Sequence, residues 1–139
     1  MAVRSAEAVW EGTLQEGNGR MAFGSFEGAY SFGSRFEDSP GTNPEELIGA
    51  AHAGCFSMAL SGRLTKAGFP PKRIYTKSRV HLGKVNEQMR ITRIELETEA
   101  QVPEIGLDLF QEIAEAAKIG CPVSVALSAI EITLNARLK

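Results

Sequence analysis

The sequence predicts an α+β fold with a mostly antiparallel sheet, and three observations support this. Glycine and aromatic residues concentrate in the first 41 residues, a long helix begins near residue 44, and three strand patterns lie between residue 74 and the C-terminus. Helical patterns separate the second of these strands from the third. Strands, helix, strands, helices and strand in that order are typical of α+β proteins.

The first predicted element is a β-hairpin. Small or apolar residues occupy alternate positions, as in a strand: Ala6, Ala8, Trp10, Gly12 and Leu14. The turn residues Gly17-Asn18-Gly19 follow, and a second run continues through Met21 and Phe23. Residues 24–41 are rich in glycine and are interpreted as strand or loop.

The clearest element is a long helix that begins at Asn43-Pro44-Glu45-Glu46. Asn43 suits the capping position, proline suits the first helical position, and Glu46 has the spacing of a capping box. The helix is expected to run to about Ala67 and to stop at Gly68 in the left-handed conformation. Its middle, Leu47 to Leu60, is small and apolar nearly all round, which predicts burial on most sides.

Three strands are predicted after this helix, at Ile74 to Val85, Met89 to Val102 and Ile130 to Leu138. In the second strand the apolar phase slips, which indicates a β-bulge near Thr92-Arg93. The third strand alternates strictly between apolar and polar residues, so one face is expected to be buried and the other wet.

Two helices are predicted between the second and third strands. The first runs from about Asp108 to Lys118 and is closed by Gly120. The second begins at Cys121-Pro122 and runs through Leu127.

Composition narrows the function classes. A chain of 139 residues with 43% hydrophobic and 23% charged residues is expected to form a single domain, 1–139, with its own core. A net charge of −2 argues against a nucleic-acid binder. No apolar run is long enough for a membrane helix, and the N-terminus lacks a signal-peptide pattern, so a cytoplasmic location is expected. Neither a dinucleotide-binding nor a P-loop motif is present, and no cofactor is expected.

The two cysteines are too few for a disulfide scaffold and are judged singly. Cys121 lies at a predicted helix start, where free N–H groups favour a thiolate; the alternative is a small capping residue without chemistry. Cys55 lies in the middle of the apolar helix. By position alone it is more typical of an inert core residue, unless a cation reaches it.

Other candidate residues have equally plain alternatives. Arg35 is a cation that could serve Cys55, and Glu45, ten residues before Cys55, is a carboxylate that could hold it. Both could instead be ordinary solvated charges. His52 shares a helix face with Cys55 but is more typical of a hydrogen-bonded core residue than of a base, since no third member orients it. His81 is interpreted as a surface or edge residue. A metal site from these histidines and cysteines has no known ligand spacing.

Two longer motifs resemble the signatures of the OsmC/Ohr family, the osmotically inducible and organic-hydroperoxide-resistance proteins. They are TNPEELIGAAHAGCFSMALS, residues 42–61, and GCPVS, residues 120–124. The stretch from His52 to Leu60 is most similar to the OsmC branch. WEG near the start, SRFE before the first motif and EITL near the end extend the resemblance over nearly the whole chain.

The resemblance implies a thiol peroxidase without a cofactor or metal. Cys55 matches the cysteine that attacks the peroxide, and Cys121 matches the cysteine that resolves the sulfenic acid as a disulfide. Arg35 matches an arginine over the reactive thiolate, and Glu45 matches the glutamate that holds it. The implied fold packs antiparallel sheets around a long buried central helix, in an intertwined homodimer with its sites at the subunit interface.

The resemblance also implies partners: an organic hydroperoxide, favoured over hydrogen peroxide, and a dithiol reductant such as a dihydrolipoyl protein. Five aromatic residues before the helix are expected to form a greasy wall for the alkyl tail: Phe23, Phe26, Tyr30, Phe32 and Phe36. A different class of function stays open, namely a non-enzymatic dimeric binding or stress-protective protein in which the cysteines only pack.

Overall fold

The computed structural model describes all residues, Met1 to Lys139, and its order of elements confirms the α+β prediction. Six strands form two three-stranded sheets, and the chain also contains four helices. The strands are β1 (Glu7–Glu11), β2 (Asn18–Phe23), β3 (Phe26–Tyr30), β4 (Arg73–Val85), β5 (Gln88–Gln101) and β6 (Glu131–Leu138). The helices are α1 (Phe32–Phe36), α2 (Pro44–Lys66), α3 (Leu107–Gly120) and α4 (Pro122–Ala126).

The chain divides into two compact units, Met1–Leu47 and Ile48–Lys139. The first holds the antiparallel sheet β1-β2-β3, which confirms the predicted hairpin. The turn is displaced from its predicted place: the loop spans residues 12–17, and Asn18 and Gly19 already belong to β2. Gly19 lies there for steric reasons, because a Cβ atom would stand 2.5 Å from the Tyr30 ring and 2.6 Å from Trp10.

Helix α1 lies in the segment that the sequence left as strand or loop. A reciprocal capping box makes this single turn possible. The Ser34 N–H donates to Ser31 Oγ at 3.1 Å, and the Ser31 N–H donates to Ser34 Oγ at 2.8 Å. Glycine and serine are poor helix formers, so the residues of this segment do not predict a helix.

Helix α2 begins and ends where predicted, although its capping differs in one detail. Asn43 Oδ1 accepts the Glu46 N–H at 2.8 Å, and Gly68 adopts a left-handed φ of +95° after the last turn. The prediction that the Glu46 carboxylate accepts a hydrogen bond from the backbone N–H of Asn43 is wrong. Its carboxylate instead accepts the Thr42 hydroxyl at 3.1 Å, so the capping box stays half formed.

The expected burial of α2 on most sides is wrong for the single chain. Phe56, Leu60 and Leu64 are fully buried, but a stripe of small residues with Met58 is exposed. This exposed stripe consists of Ala50, Ala51, Gly54 and Met58, and the Met58 side chain is 78% exposed. The sequence pattern cannot tell a face covered by its own chain from one left for another molecule.

The second unit holds the sheet β4-β5-β6. The predicted bulge is confirmed, because the register of β4 and β5 shifts between His81 and Leu82 and leaves Thr92 as the extra residue. The prediction of mostly antiparallel pairing is confirmed, and the one parallel pair is β5 with β6. Helices α3 and α4 form the crossover between them, and a parallel pair requires a crossover of this kind.

The core of the second unit lies between α2, α3 and the inner face of the sheet. Its largest fully buried side chains include Phe56 and Leu60 of α2, Ile94 and Leu96 of β5, and Phe110 of α3. The alternation predicted for β6 is confirmed, because Glu131, Thr133, Asn135 and Arg137 are exposed while the residues between them are wholly or partly buried. No helix of the protein is long and apolar enough to cross a membrane.

The junction of α3 and α4 positions Cys121. Helix α3 runs through Gly120 instead of ending before it, and Cys121 leaves the helix with an extended ψ of 136°. Gly120 has no positive φ; a Cβ there would stand 2.5 Å from Nη2 of Arg63. The guanidinium is the far end of a flexible side chain and can move away, so neither this contact nor a left-handed backbone requires glycine here.

Candidate active site

In the first unit, the predicted partnership of Arg35 and Glu45 is present as a two-pronged ion pair. Arg35 Nε donates to Glu45 Oε1 and Nη2 donates to Oε2, both at 2.9 Å. Only 10% of the Glu45 side chain is exposed, against 35% for Arg35. A planar fork of this kind fixes the orientation of the guanidinium as well as its charge.

Local hydrogen bonds hold the two segments that carry this ion pair. Ser34 Oγ donates to the Thr42 carbonyl at 2.7 Å, and Asn43 Nδ2 donates to the Ser34 carbonyl at 3.1 Å. The hydrogen bonds that Arg35 donates to Glu45 raise the pKa of Arg35 and outweigh the opposing effect of burial. The guanidinium also lies 5.2 Å from the centre of the Phe36 ring, within range of a cation–π contact.

An apolar cavity of about 450 Å³ adjoins Arg35 within the first unit. Its lining residues are Trp10, Gly12, Leu14, Tyr30, Ser31, Phe32, Arg35 and Phe36. Of the five aromatics predicted to form a wall, Phe23 and Phe26 do not line it. They pair across the β2–β3 turn and stack on each other with ring centres 5.6 Å apart. Trp10 takes part instead, packed 5.3 Å from Tyr30.

In the second unit, the two cysteines meet although they lie on different helices. Cys55 lies on α2 and is partly exposed, whereas Cys121 caps α4 and is fully buried. Both are free thiols. Position along the chain suggested a core residue for Cys55, which is only partly buried here. Arg35 and Glu45 belong to the first unit and both cysteines to the second.

The two thiols differ in acidity. Burial, together with contacts from Cys121, raises the pKa of Cys55 above its ordinary value, and a hydrogen bond from the Val123 backbone opposes this only in part. Burial also pushes the pKa of Cys121 upward. Hydrogen bonds from the Ser124 side chain and backbone, from Cys55 and from Val123 overcome this effect, and the Cys121 pKa is lowered. Within the second unit, Cys121 is therefore the more acidic thiol.

Cys121 satisfies both of the interpretations that its position allowed. It is a capping residue, because its sulfur accepts the Ser124 N–H at 3.3 Å. It is also an acidified thiol, because this N–H and its neighbours favour the charged form. The same hydrogen bond therefore caps helix α4 and lowers the pKa of the Cys121 thiol.

Ser124 and His52 belong to this site, and sequence reasoning did not assign them to it. The Cys121 thiol donates to Ser124 Oγ at 3.2 Å, and Ser124 Oγ lies 2.8 Å from Nε2 of His52. Both residues are buried, and burial lowers the pKa of His52. The prediction of a hydrogen-bonded core histidine is confirmed. The serine that ends GCPVS, three residues after Cys121, was the only available signal for the other member.

His81 lies apart from these groups, as predicted for a surface residue. Its Nε2 is 3.1 Å from Glu95 on the adjacent strand, and its side chain is 38% exposed. Glu95 also pairs with Arg79, and these contacts lower the Glu95 pKa to about 2. The pair belongs to a ladder of exposed charges across β4 and β5.

Comparison with known proteins identifies the family. The family model described as "OsmC-like protein" matches residues 36–135. The chain is 49% identical to Peroxiredoxin OsmC of Escherichia coli over 139 residues, covering 98% of this chain and 96% of that protein.

Solved structures of low sequence identity share the fold. An OsmC-like protein of unknown function from Vibrio cholerae superposes with a TM-score of 0.79 at 15% identity, over 98% of this chain and 99% of the other. The organic hydroperoxide resistance protein OhrB of Bacillus subtilis superposes with a TM-score of 0.70 at 21% identity, over 99% of this chain and 100% of the other. With the match to the family model and the identity to the Escherichia coli protein, this places the chain in the OsmC-like family.

Proposed function

We propose that this chain is a thiol-dependent peroxidase that reduces organic hydroperoxides and, less well, hydrogen peroxide. The observation that carries the proposal is that a partly exposed and a fully buried free thiol lie close enough to shift each other's pKa. Membership of a family that includes Peroxiredoxin OsmC, 49% identical to this chain, supports it. No observation favours the non-enzymatic alternative over it.

The difference in exposure supports the proposed roles of the two thiols. A hydroperoxide must reach the sulfur that it oxidises, and Cys55 is partly exposed whereas Cys121 is not exposed at all. Cys55 thus attacks the peroxide oxygen; its sulfur takes an OH group, the O–O bond breaks, and the alkoxide leaves and is protonated to the alcohol. The Cys121 thiolate then attacks the sulfenic acid, forming the Cys55–Cys121 disulfide and releasing water. A dithiol reductant, such as a dihydrolipoyl protein, returns both thiols.

The raised pKa of Cys55 means that this step needs a cation at the reactive sulfur. We propose Arg35 for this role, held by Glu45, as the family resemblance implies. Two hydrogen bonds fix the guanidinium against a nearly buried carboxylate, and a charge whose orientation is fixed in advance suits this role. A reducing compartment such as the cytoplasm suits a cycle that depends on free thiols.

The first testable consequence concerns substrate choice. We expect kcat/KM for cumene hydroperoxide to exceed that for hydrogen peroxide, measured with the same dithiol. Burying an alkyl group is worth about 0.8 kcal/mol per CH₂, so four or five CH₂ groups correspond to roughly a hundredfold or more in affinity before ordering costs. The aromatic cavity beside Arg35 is the proposed place for this group.

A pair of variants tests the cavity itself. Phe32→Ala is expected to lower kcat/KM for cumene hydroperoxide while leaving that for hydrogen peroxide nearly unchanged. Phe26→Ala is the matched control, because Phe26 lies at the hairpin and does not line the cavity. Equal kcat/KM values for the two peroxides would refute the apolar pocket. Thiols that survive a stoichiometric hydroperoxide would leave only the binding-protein alternative.

We further propose that residues 1–139 act as one domain and that two copies form a tight homodimer. The exposed stripe on α2 supports dimerisation, because Ala50, Gly54 and Met58 recur every four residues along one helix face. In the first unit every aromatic side chain is also at least partly exposed, although a three-stranded sheet needs packing against another surface to be stable.

Sedimentation equilibrium at low micromolar concentration is expected to show only dimers. Gly54→Glu should shift the protein toward monomers, because it places a charge on the stripe where copies are proposed to meet. Gly83→Glu is a matched control on β4, where a new Cβ meets nothing within 4 Å. A wild-type species with the mass of one chain would contradict this proposal.

A further inference from the structure

We propose that Ser124 and His52 form a hydrogen-bond relay behind Cys121 that holds its sulfur as a thiolate, ready to attack the Cys55 sulfenic acid. In this relay Ser124 is a catalytic residue, because its hydroxyl touches the reacting sulfur. His52 is a positioning residue, because it acts through Ser124. The inference rests on the proposed peroxidase cycle and adds two residues to it.

The geometry places three groups in line. Cys121 Sγ lies 3.2 Å from Ser124 Oγ, which lies 2.8 Å from His52 Nε2. Cys121 and His52 are not exposed at all, and Ser124 is 5% exposed. The Ser124 N–H adds a second donor to the sulfur at 3.3 Å. Ser124 thus contacts the sulfur with both its backbone N–H and its hydroxyl, and His52 is the only other group that contacts this hydroxyl.

Counting protons along the relay distinguishes the two states of Cys121. If the sulfur keeps its proton, S–H donates to Oγ, Oγ–H donates to Nε2, and the imidazole proton must lie on Nδ1. His52 Nδ1 is buried and has no hydrogen-bond partner in the chain, so this state leaves an N–H group unpaired. If the sulfur is a thiolate, Nε2–H donates to Oγ and Oγ–H donates to sulfur. Only a lone pair on Nδ1 is then unpaired.

The thiolate state is the better satisfied of the two. Buried N–H groups without an acceptor are rarer in proteins than acceptors with a lone pair left over. Hydrogen bonds to a charged sulfur are also stronger than those to a neutral thiol. The buried His52 therefore favours deprotonation of Cys121 without becoming an imidazolium, and the lowered pKa of His52 is consistent with a neutral ring.

The resolving step balances without any further reactant. The Cys121 thiolate attacks Cys55 sulfur, the S–S bond forms and the S–OH bond breaks. Hydroxide leaves and takes up one proton, equal in number to the proton that Cys121 gave up, so the products are the disulfide and water. The Ser124 hydroxyl loses a charged acceptor as the sulfur becomes neutral, and the relay returns to thiolate form only after reduction.

Few other titratable groups lie against Cys121. Cys55 and His52 face it from α2, and Arg63 of α2 packs against the backbone of Gly120 next to it. The experiment removes the first of these by working in a Cys55→Ser background. Cys121 is then the only thiol, and its titration is followed by thiolate ultraviolet absorbance against a Cys55→Ser/Cys121→Ser blank. This measurement requires no peroxide and no turnover.

In this background, Ser124→Ala and His52→Leu are each expected to raise the Cys121 pKa, so that the thiolate fraction below the pKa falls about tenfold. Two conservative variants should largely restore it: Ser124→Thr keeps the hydroxyl, and His52→Gln keeps an N–H donor near the place of Nε2. Ser57→Ala is the matched control, because that hydroxyl bonds to Thr76 instead and should leave the titration unchanged.

The same changes, made with Cys55 present, are then followed in single turnover. Ser124→Ala should make sulfenic acid formation no slower than in the wild type, since a protonated Cys121 no longer raises the Cys55 pKa by its charge. It should slow disulfide formation about threefold below the pKa, because the rise in nucleophilicity of a more basic thiolate offsets part of its tenfold lower population. An unchanged Cys121 titration in both Ser124→Ala and His52→Leu would overturn the relay. A normal titration shift in a protein that consumes no peroxide would instead refute the proposed function and leave the relay standing.

Discussion

Replacing Cys55 with serine is expected to abolish peroxide turnover, whereas replacing Cys121 with serine should leave one turnover and a stable sulfenic acid. The physical basis is access, since Cys55 is partly exposed and Cys121 is fully buried. Attack on the peroxide requires no resolving thiol. The measurement is peroxide consumed per chain, combined with dimedone trapping and mass analysis to locate the oxidised sulfur.

Acidity alone would favour the opposite assignment, because the pKa of Cys121 is lowered and that of Cys55 is raised. Burial is the largest cause of the rise at Cys55, and contacts from Cys121 add to it. Cys121→Ser removes the contribution of the second thiolate, so the first step should be no slower than in the wild type. A Cys121→Ser protein that cannot react with peroxide would reverse the roles of the two cysteines.

Removing either member of the Arg35–Glu45 ion pair is expected to lower kcat/KM roughly 10–1000-fold, the range for losing a preorganised charge-stabilising donor. Arg35→Ala removes the charge that is proposed to stabilise the Cys55 thiolate and the leaving alkoxide. Glu45→Ala leaves the charge but releases its orientation. Arg35→Lys should also impair the enzyme, because an ammonium cannot reproduce two parallel bonds of 2.9 Å.

The double variant separates a joint action from two independent ones. If Arg35 and Glu45 act as one unit, replacing both should cost little more than the worse single change. Arg20→Ala is the matched control, because Arg20 and Glu27 form an ion pair in the same unit with both side chains 58% exposed. Its kcat/KM should stay near the wild-type value. Multiplicative losses in the double variant would show that the two residues act separately.

Short-range features of the fold were predictable because their causes lie within a few residues. The Asn43 cap, the Gly68 stop and the Thr92 bulge each follow from local backbone chemistry, and all three are present. Helix α1 is also local, yet it escaped prediction, since its capping box uses two serines among glycines and offers no apolar period.

Strand direction and surface exposure could not be predicted in the same way. The alternation in β6 predicts which face is buried, but it is the same whether the strand pairs parallel or antiparallel with β5. The crossover through α3 and α4 decides the direction. The apolar character of α2 likewise predicts a buried stripe at Ala50, Gly54 and Met58, which the single chain leaves exposed.

At the candidate site, the sequence by itself determined the residue types and the family. It contains two cysteines in two motifs, an arginine before the first motif and a glutamate within that motif. Only the tertiary structure decided which thiol is exposed, since Cys55 is partly exposed and Cys121 is fully buried. The lowered pKa of Cys121 agrees with its position at a helix start. The tertiary structure also brought His52 to Ser124 across 72 residues of chain. Burial and hydrogen bonding set both the access and the pKa of a thiol, and both depend on packing between segments far apart in sequence.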